Sequence, residues 1–178
     1  GVNDKGLAAD SDNRLLWRGF RRRLDAESYR DSVLMICGRL DLTMGGPGVQ
    51  QFKLGKPIQL TPTVDYAPFD WDSPGASRRS IYRFIYRGLP DPFMDALDFP
   101  DAAQLAPTRP FSASPLQSLA LLNDDFVLHH CEVFAKRLER AGATNKERVD
   151  AAFRLVFQRA PSDSEREEFA QYADKHGL

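Results

Sequence analysis

"SPLQSLALLNDDFVLHHCEVFAKRLERAG", residues 114–142, decides the fold class. Ser114, Pro115 and Gln117 make a capping box, with proline at the first helical position, where its missing N–H costs nothing. Behind the box, Leu116, Leu119, Ala120, Phe126, Val127, Cys131, Phe134 and Leu138 recur at helical spacing and are expected to form a buried face. Gly142 ends the run.

The same signature repeats toward the C-terminus. Thr144 with Glu147 and Ser162 with Glu165 open two further helices, carrying Val149, Ala152, Phe153, Val156 and Phe157, then Phe169 and Tyr172, as a helical hairpin. Toward the N-terminus, Asp91 and Pro92 start a short helix through Leu97. The preceding "SRRSIYRFIYRG", 77–88, alternates Ser80, Tyr82, Phe84 and Tyr86 with Ile81, Arg83, Ile85 and Arg87. That period of two predicts a strand, with its partner around Ile58 to Val64. "DLTMGGPG", 41–48, is a turn, and the chain from there to about Ser77 is a long Pro/Gly-rich loop held by isolated aromatics. Ser11 or Asp12 is expected to cap a first helix carrying Leu15, Leu16, Phe20 and Leu24 and running or restarting through "LDAESYRDSVLMICGRL", 24–40. The fold class is therefore mainly α: a helical bundle of about five or six helices with a minor β element, in one domain over 1–178 with 1–10 as a disordered lead.

The 24 basic and 25 acidic residues give a net charge of −1, so no global field draws a polyanion or an anionic membrane. No apolar run reaches the ~18 residues of a membrane span. The polar start does not read as a signal peptide, and Gly1 reads as a cleavage scar. Arginine outnumbers lysine by 18 to 6, which favours bidentate pairing with carboxylates. Cys37 and Cys131 fit no metal, redox or haem spacing and are expected as free, buried thiols.

Arg78, Arg79, Arg83 and Arg87, interleaved with aromatics, have the composition of a nucleic-acid face. Asp91, Asp95, Asp98 and Asp101 follow at once and cancel their charge, and the glycine-containing core of an RNA-recognition strand is missing. An internal ion-pair cluster is the expectation. "GRLDLTMGGPG", 38–48, lacks both phosphate-loop spacings and reads as a structural turn. Asp125, His129 and Glu132 fall at i, i+4 and i+7 of one helix, with the types and spacing of a general base or hard-cation site. They are the candidate catalytic trio. No second His or Cys cluster stands elsewhere to complete a coordination shell, so no metal is assigned. His130, beside the apolar stripe, is expected at the core edge with a backbone hydrogen bond, and no Gly-x-Ser-x-Gly elbow is present.

Four stretches, "NRLLWRGFRRRLDAESYRDSVLMICGRLDLTMGGPG" (13–48), "RRSIYRFIYRGLPDPFMDALDFPD" (78–101), "SPLQSLALLNDDFV" (114–127) and "ERVDAAFRLVFQRAPSDSE" (147–165), resemble the C-terminal part of the planctomycete domain of unknown function 1553. The resemblance implies a place near the C-terminus of a large secreted or periplasmic polypeptide, behind a sister domain and a c-type cytochrome domain. Its partners would be other domains of the parent protein or a second copy of the chain. The chain has no Cys-x-x-Cys-His, so it carries no cofactor of its own and any haem belongs to other domains. The family has no established activity, so the resemblance carries over no catalytic residue. It leaves a non-catalytic structural or interaction module as the leading class. The competing class is an enzyme domain acting on extracytoplasmic polymers, through Asp125, His129 and Glu132 or through Arg78, Arg79, Asp98 and Asp101. The resemblance also implies that the N-terminal part of the domain lies outside this chain, leaving an apolar patch to cover. Where the family has proline this chain has Asp125, so a break after "LLND" rests on Asn123-Asp124 and the long helix is expected as one or two.

Overall fold

The computed structural model describes residues 3–19, 23–58, 61–102 and 104–178. It is mainly α: α1 (Asp4–Ala9), α2 (Ala26–Ile36), α3 (Pro92–Ala96), α4 (Pro115–Asn123), α5 (Asp125–Ala141), α6 (Asn145–Phe157) and α7 (Asp163–His176), with one antiparallel hairpin of β1 (Lys53–Ile58) and β2 (Thr61–Asp65).

The stretch that decides the class is two helices. Asp124 leaves α4 with extended backbone, φ −71° and ψ 136°, and its carboxylate accepts the Phe126 N–H at 2.9 Å to cap α5. All three capping boxes form. The break changes which apolar residues are buried. Phe126, Val127 and Leu138 of α5 enter the interior, but Leu116 and Leu119 of α4 are exposed, because α4 turns Gln117, Ala120 and Leu121 inward instead. Cys131 is also exposed, and its expected buried place is taken by His130. Cys37 is buried, and both thiols are free.

The first core joins Ala26 and Leu34 of α2, Phe93 and Met94 of α3, Leu97, and Phe126 and Val127 of α5. Phe126 is 2 % exposed, and truncating such a side chain to alanine costs about 3–5 kcal/mol. A smaller cluster, Val149, Phe153 and Ala170, holds α6 against α7.

Two local expectations are corrected. Residues 11–18 turn rather than form a helix, with Asn13 and Leu16 at φ 59° and 55°. The Asp10 carboxylate accepts the N–H groups of Arg14 and Leu15 at 2.9 and 2.7 Å, and the Asn13 side chain bonds both backbone groups of Arg18. Such local bonds compete with the helical ladder. Phe20 lies outside the described residues, and the helix that does form starts at the Asp25 cap. Ahead of these turns α1 forms on an Asn3 cap, and Trp17 Nε1 donates to the Asp10 carbonyl beyond its end at 2.8 Å.

The expected strand over Ser80–Arg87 is absent. Asp31 of α2 accepts both the Ser80 N–H at 2.8 Å and the Ser80 hydroxyl at 2.7 Å, and Ser80–Tyr82 curl into a 3₁₀ turn around it. Within 80–87 the ladder pairing is reduced to Arg83, which bridges Val49 in parallel. The minor β element lies earlier, where Lys53 pairs with Asp65, Leu54 with Val64 and Gly55 with Thr63.

Candidate functional site

Arg30 organises the centre of the molecule. It lies on α2 in phase with Ala26 and Leu34 and is 2 % exposed. Its guanidinium donates to the carbonyls of Ala76 at 2.7 Å and Arg78 at 2.9 Å, and to the Ser80 hydroxyl at 3.3 Å. It also lies over the Phe126 ring, 5.5 Å from its centroid. Burial, reinforced by the like charge of Arg83, pushes its pKa down to about 10, so the charge persists at neutral pH.

Beyond the 3₁₀ turn, Arg83 donates Nε to Gln51 Oε1 at 2.6 Å and Nη2 to Asp91. Asp91 uses its other oxygen to cap α3, accepting the Met94 N–H at 2.9 Å. Arginine only donates, so Gln51 must turn Oε1 toward it, and Gln51 Nε2 is left buried without a partner. This polar wall faces a cavity of about 230 Å³. Phe52 anchors its aromatic side, with Tyr66, Phe84 and Tyr86 at ring-centroid distances of 5.4, 6.0 and 6.1 Å. Ser80, Ile85 and Phe99 also line an adjoining open groove of about 680 Å³.

Residues 2–173 match the model of PSD1, described as a protein of unknown function (DUF1553). The chain belongs to that family. No curated protein and no solved structure matches it.

In this PSD1 member the arginines and aspartates around residues 78–101 divide among several tasks. Arg83 and Asp91 meet directly. Asp98 instead takes Arg23 at 2.5 Å, the Ser112 N–H at 2.7 Å and Gln117 Nε2 at 3.1 Å. The Ser112 N–H, with its hydroxyl and Arg23, holds the Asp98 carboxyl down to about 2. Arg78 donates to the carbonyls of Thr43, Gly45 and Pro47 and stacks 3.8 Å from the Tyr82 centroid. It thereby ties down the turn in which Gly45 and Gly46 adopt φ 82° and 86°. Arg79 also approaches Tyr82, at 5.7 Å, with Nε buried and unpartnered. Arg87 and Asp95 are exposed and enter no ion pair among the described residues, and Asp101 is exposed at the cavity rim.

The Asp125, His129 and Glu132 side chains do not converge. Asp125 is exposed at the start of α5 and Glu132 is exposed on its surface. His129 finds Asp72, Nε2 to Oδ1 at 3.5 Å, and Asp72 also binds Arg39 at 2.9 Å. Among the described residues, no group of three or more His, Cys, Asp or Glu is placed to hold a metal ion. His130 is 1 % exposed between the rings of Phe126 and Trp71, and its Nδ1 donates to the Phe126 carbonyl at 2.7 Å. Burial holds its pKa down to about 4, so it is neutral at pH 7.

Reading the sequence missed Arg30, Asp31, Gln51 and Ser80. One signal was available for the first: an arginine at the i+4 and i−4 positions of two small or apolar residues, Ala26 and Leu34, lies on the inward stripe of its helix. Gln51, in a loop, carries no comparable mark.

Proposed function

We propose that the chain is a non-catalytic structural or interaction module within a larger cell-envelope protein that also carries a c-type cytochrome domain. The supporting observation is the outer face of α4. Leu116, Leu119 and Leu122, at i, i+3 and i+6, are 62, 57 and 68 % exposed and form one apolar stripe. A helix that buries Gln117 while presenting three leucines to solvent is completed by another surface. Covering the three stabilises an association by about 3–5 kcal/mol, since full burial of a leucine is worth about 1.5–3.

The test mixes this chain with the remaining segments of the parent polypeptide and follows association by calorimetry. L116E/L119E/L122E is expected to leave far-UV circular dichroism and Tm unchanged while removing association. Unaltered association, or collapse of the fold in the variant, overturns the reading. A parent reading frame with neither an export signal nor a Cys-x-x-Cys-His overturns its envelope and haem parts.

A further inference from the structure

We infer that the cavity between Phe52, Phe84 and Tyr86, together with the groove it opens into, binds a proline-rich peptide segment with a basic flank. This surface is separate from the leucine stripe of α4, so the inference stands independently of the module reading.

The polar wall sets the first requirement. The buried, unpartnered polar atoms are Gln51 Nε2 on this wall and Arg79 Nε of a residue lining the groove, and Arg83 Nη1 makes no hydrogen bond among the described residues. All three are donors, so a ligand that satisfies them supplies acceptors. Charge then selects among acceptors. The cavity's carboxylates Asp91 and Asp95 outnumber its guanidinium, Arg83, and in the groove Glu27 and Asp31 balance Arg79 and Arg109. A phosphate or carboxylate would meet this excess of negative charge, whereas a neutral carbonyl does not, and a flanking Arg or Lys is attracted.

The apolar wall completes the selection. Phe84 and Ile85 are 49 and 46 % exposed, and Ile81, in the groove, is 77 % exposed. These rings and branched chains offer flat apolar surface along an open trough. A polyproline II strand presents rings for such surface and outward carbonyls as acceptors. It lacks the N–H groups that would need acceptors in return, and its conformation is set before binding. A sugar brings as many hydroxyl donors as acceptors, for which the unpartnered donors give no reason.

The test titrates the full chain, ¹⁵N-labelled, with acetyl-Arg-Pro-Pro-Pro-Pro-Pro-Pro-Arg-amide. The comparison peptide has the same length and charge, with Gly-Ser repeats replacing proline. Saturable shifts confined to the cavity, including the Gln51 side-chain amide, are expected with a Kd on the order of 100 μM, in the range of short preformed peptides. The Gly-Ser peptide and Phe84→Ala should each weaken binding about tenfold, Phe84 being half-exposed so that its removal spares the core. Gln51→Glu, which replaces an unpartnered donor with an acceptor, should weaken it about fivefold. The inference is overturned by equal binding of the two peptides, by no shift at about 1 mM peptide, or by shifts elsewhere on the chain. It is also overturned if inorganic phosphate or maltohexaose occupies the cavity and the proline peptide does not.

Discussion

Arg30→Met removes the guanidinium that joins α2 to the segment 76–80 and keeps most of the side chain's apolar volume. Two charge-assisted bonds to carbonyls, at 2.7 and 2.9 Å, and a third to the Ser80 hydroxyl are lost. Each bond to a charged group contributes about 1.5–3 kcal/mol, and an orphaned buried carbonyl costs about 1–3. Relief from burying a charge offsets part of this, leaving a net loss of about 3–5 kcal/mol, the range for breaking a buried ionic contact on one side. In a chain of 178 residues each kcal/mol moves Tm by about 2–4 °C, so a fall of about 10 °C is expected. Urea unfolding followed at 222 nm gives the free energy, and amide exchange gives the location, with faster exchange at Ser80, whose N–H donates to Asp31 of α2, and at Arg83, whose N–H donates to the Ser80 carbonyl. Arg30→Lys keeps the charge but not the planar fork, and is expected to lose about half as much. A loss under about 1 kcal/mol for Arg30→Met, or no change in exchange over 76–83, would refute the claim that this arginine holds the segment.

Acid weakens the fold in two separate windows. His130 is held near 4 in the folded chain and has an ordinary value of 6.5, so between these values the unfolded chain binds more protons and stability falls as pH drops from 6.5 to 4. The loss is about 3 kcal/mol at most, at about 1.4 kcal/mol per unit, and His130→Gln should flatten it in urea melts at pH 7 and 4.5; an unchanged slope removes His130 as the cause. Below that window Asp98 and Glu165, both held to about 2, contribute stability that is fully present above their ordinary range and is lost as pH falls through about 2. Asp125→Pro should be neutral or stabilising by up to about 1 kcal/mol, because residue 125 is the first of α5 and Asp124 before it is already extended. A drop in Tm of more than about 4 °C contradicts that reading.

What was legible followed from how local each signal is. The capping boxes at Ser114, Thr144 and Ser162 need only residues three apart, and all three form. The 80–87 alternation failed because a period of two states what a strand would look like without saying that a ladder partner exists. Here Asp31, 49 positions away, claims the Ser80 N–H first. The buried face of 114–142 was half legible, since the phase of α4 does not carry through the extended Asp124 into α5. The wall of the cavity was not legible, because Gln51 and Arg83 come from loops whose meeting depends on the single bridge between Val49 and Arg83.

The arginine excess has a physical reason beyond pairing with carboxylates. The long loops between α2 and α3 have few ladder partners, yet their carbonyls pack against helices and need donors. A guanidinium offers five N–H groups in a rigid plane and stays charged when buried. Arg30 serves Ala76 and Arg78; Arg78 serves Thr43, Gly45 and Pro47; Arg23 serves Leu97 and Ser112; Arg137 serves Met35 and Ile36 at the end of α2. Carboxylates meet some of the same guanidiniums, as Asp98 meets Arg23, but most of these bonds go to backbone. In this fold arginine does for irregular chain what a neighbouring strand does for a sheet, and a lysine at such a position keeps the charge while losing the fork that reaches two carbonyls at once.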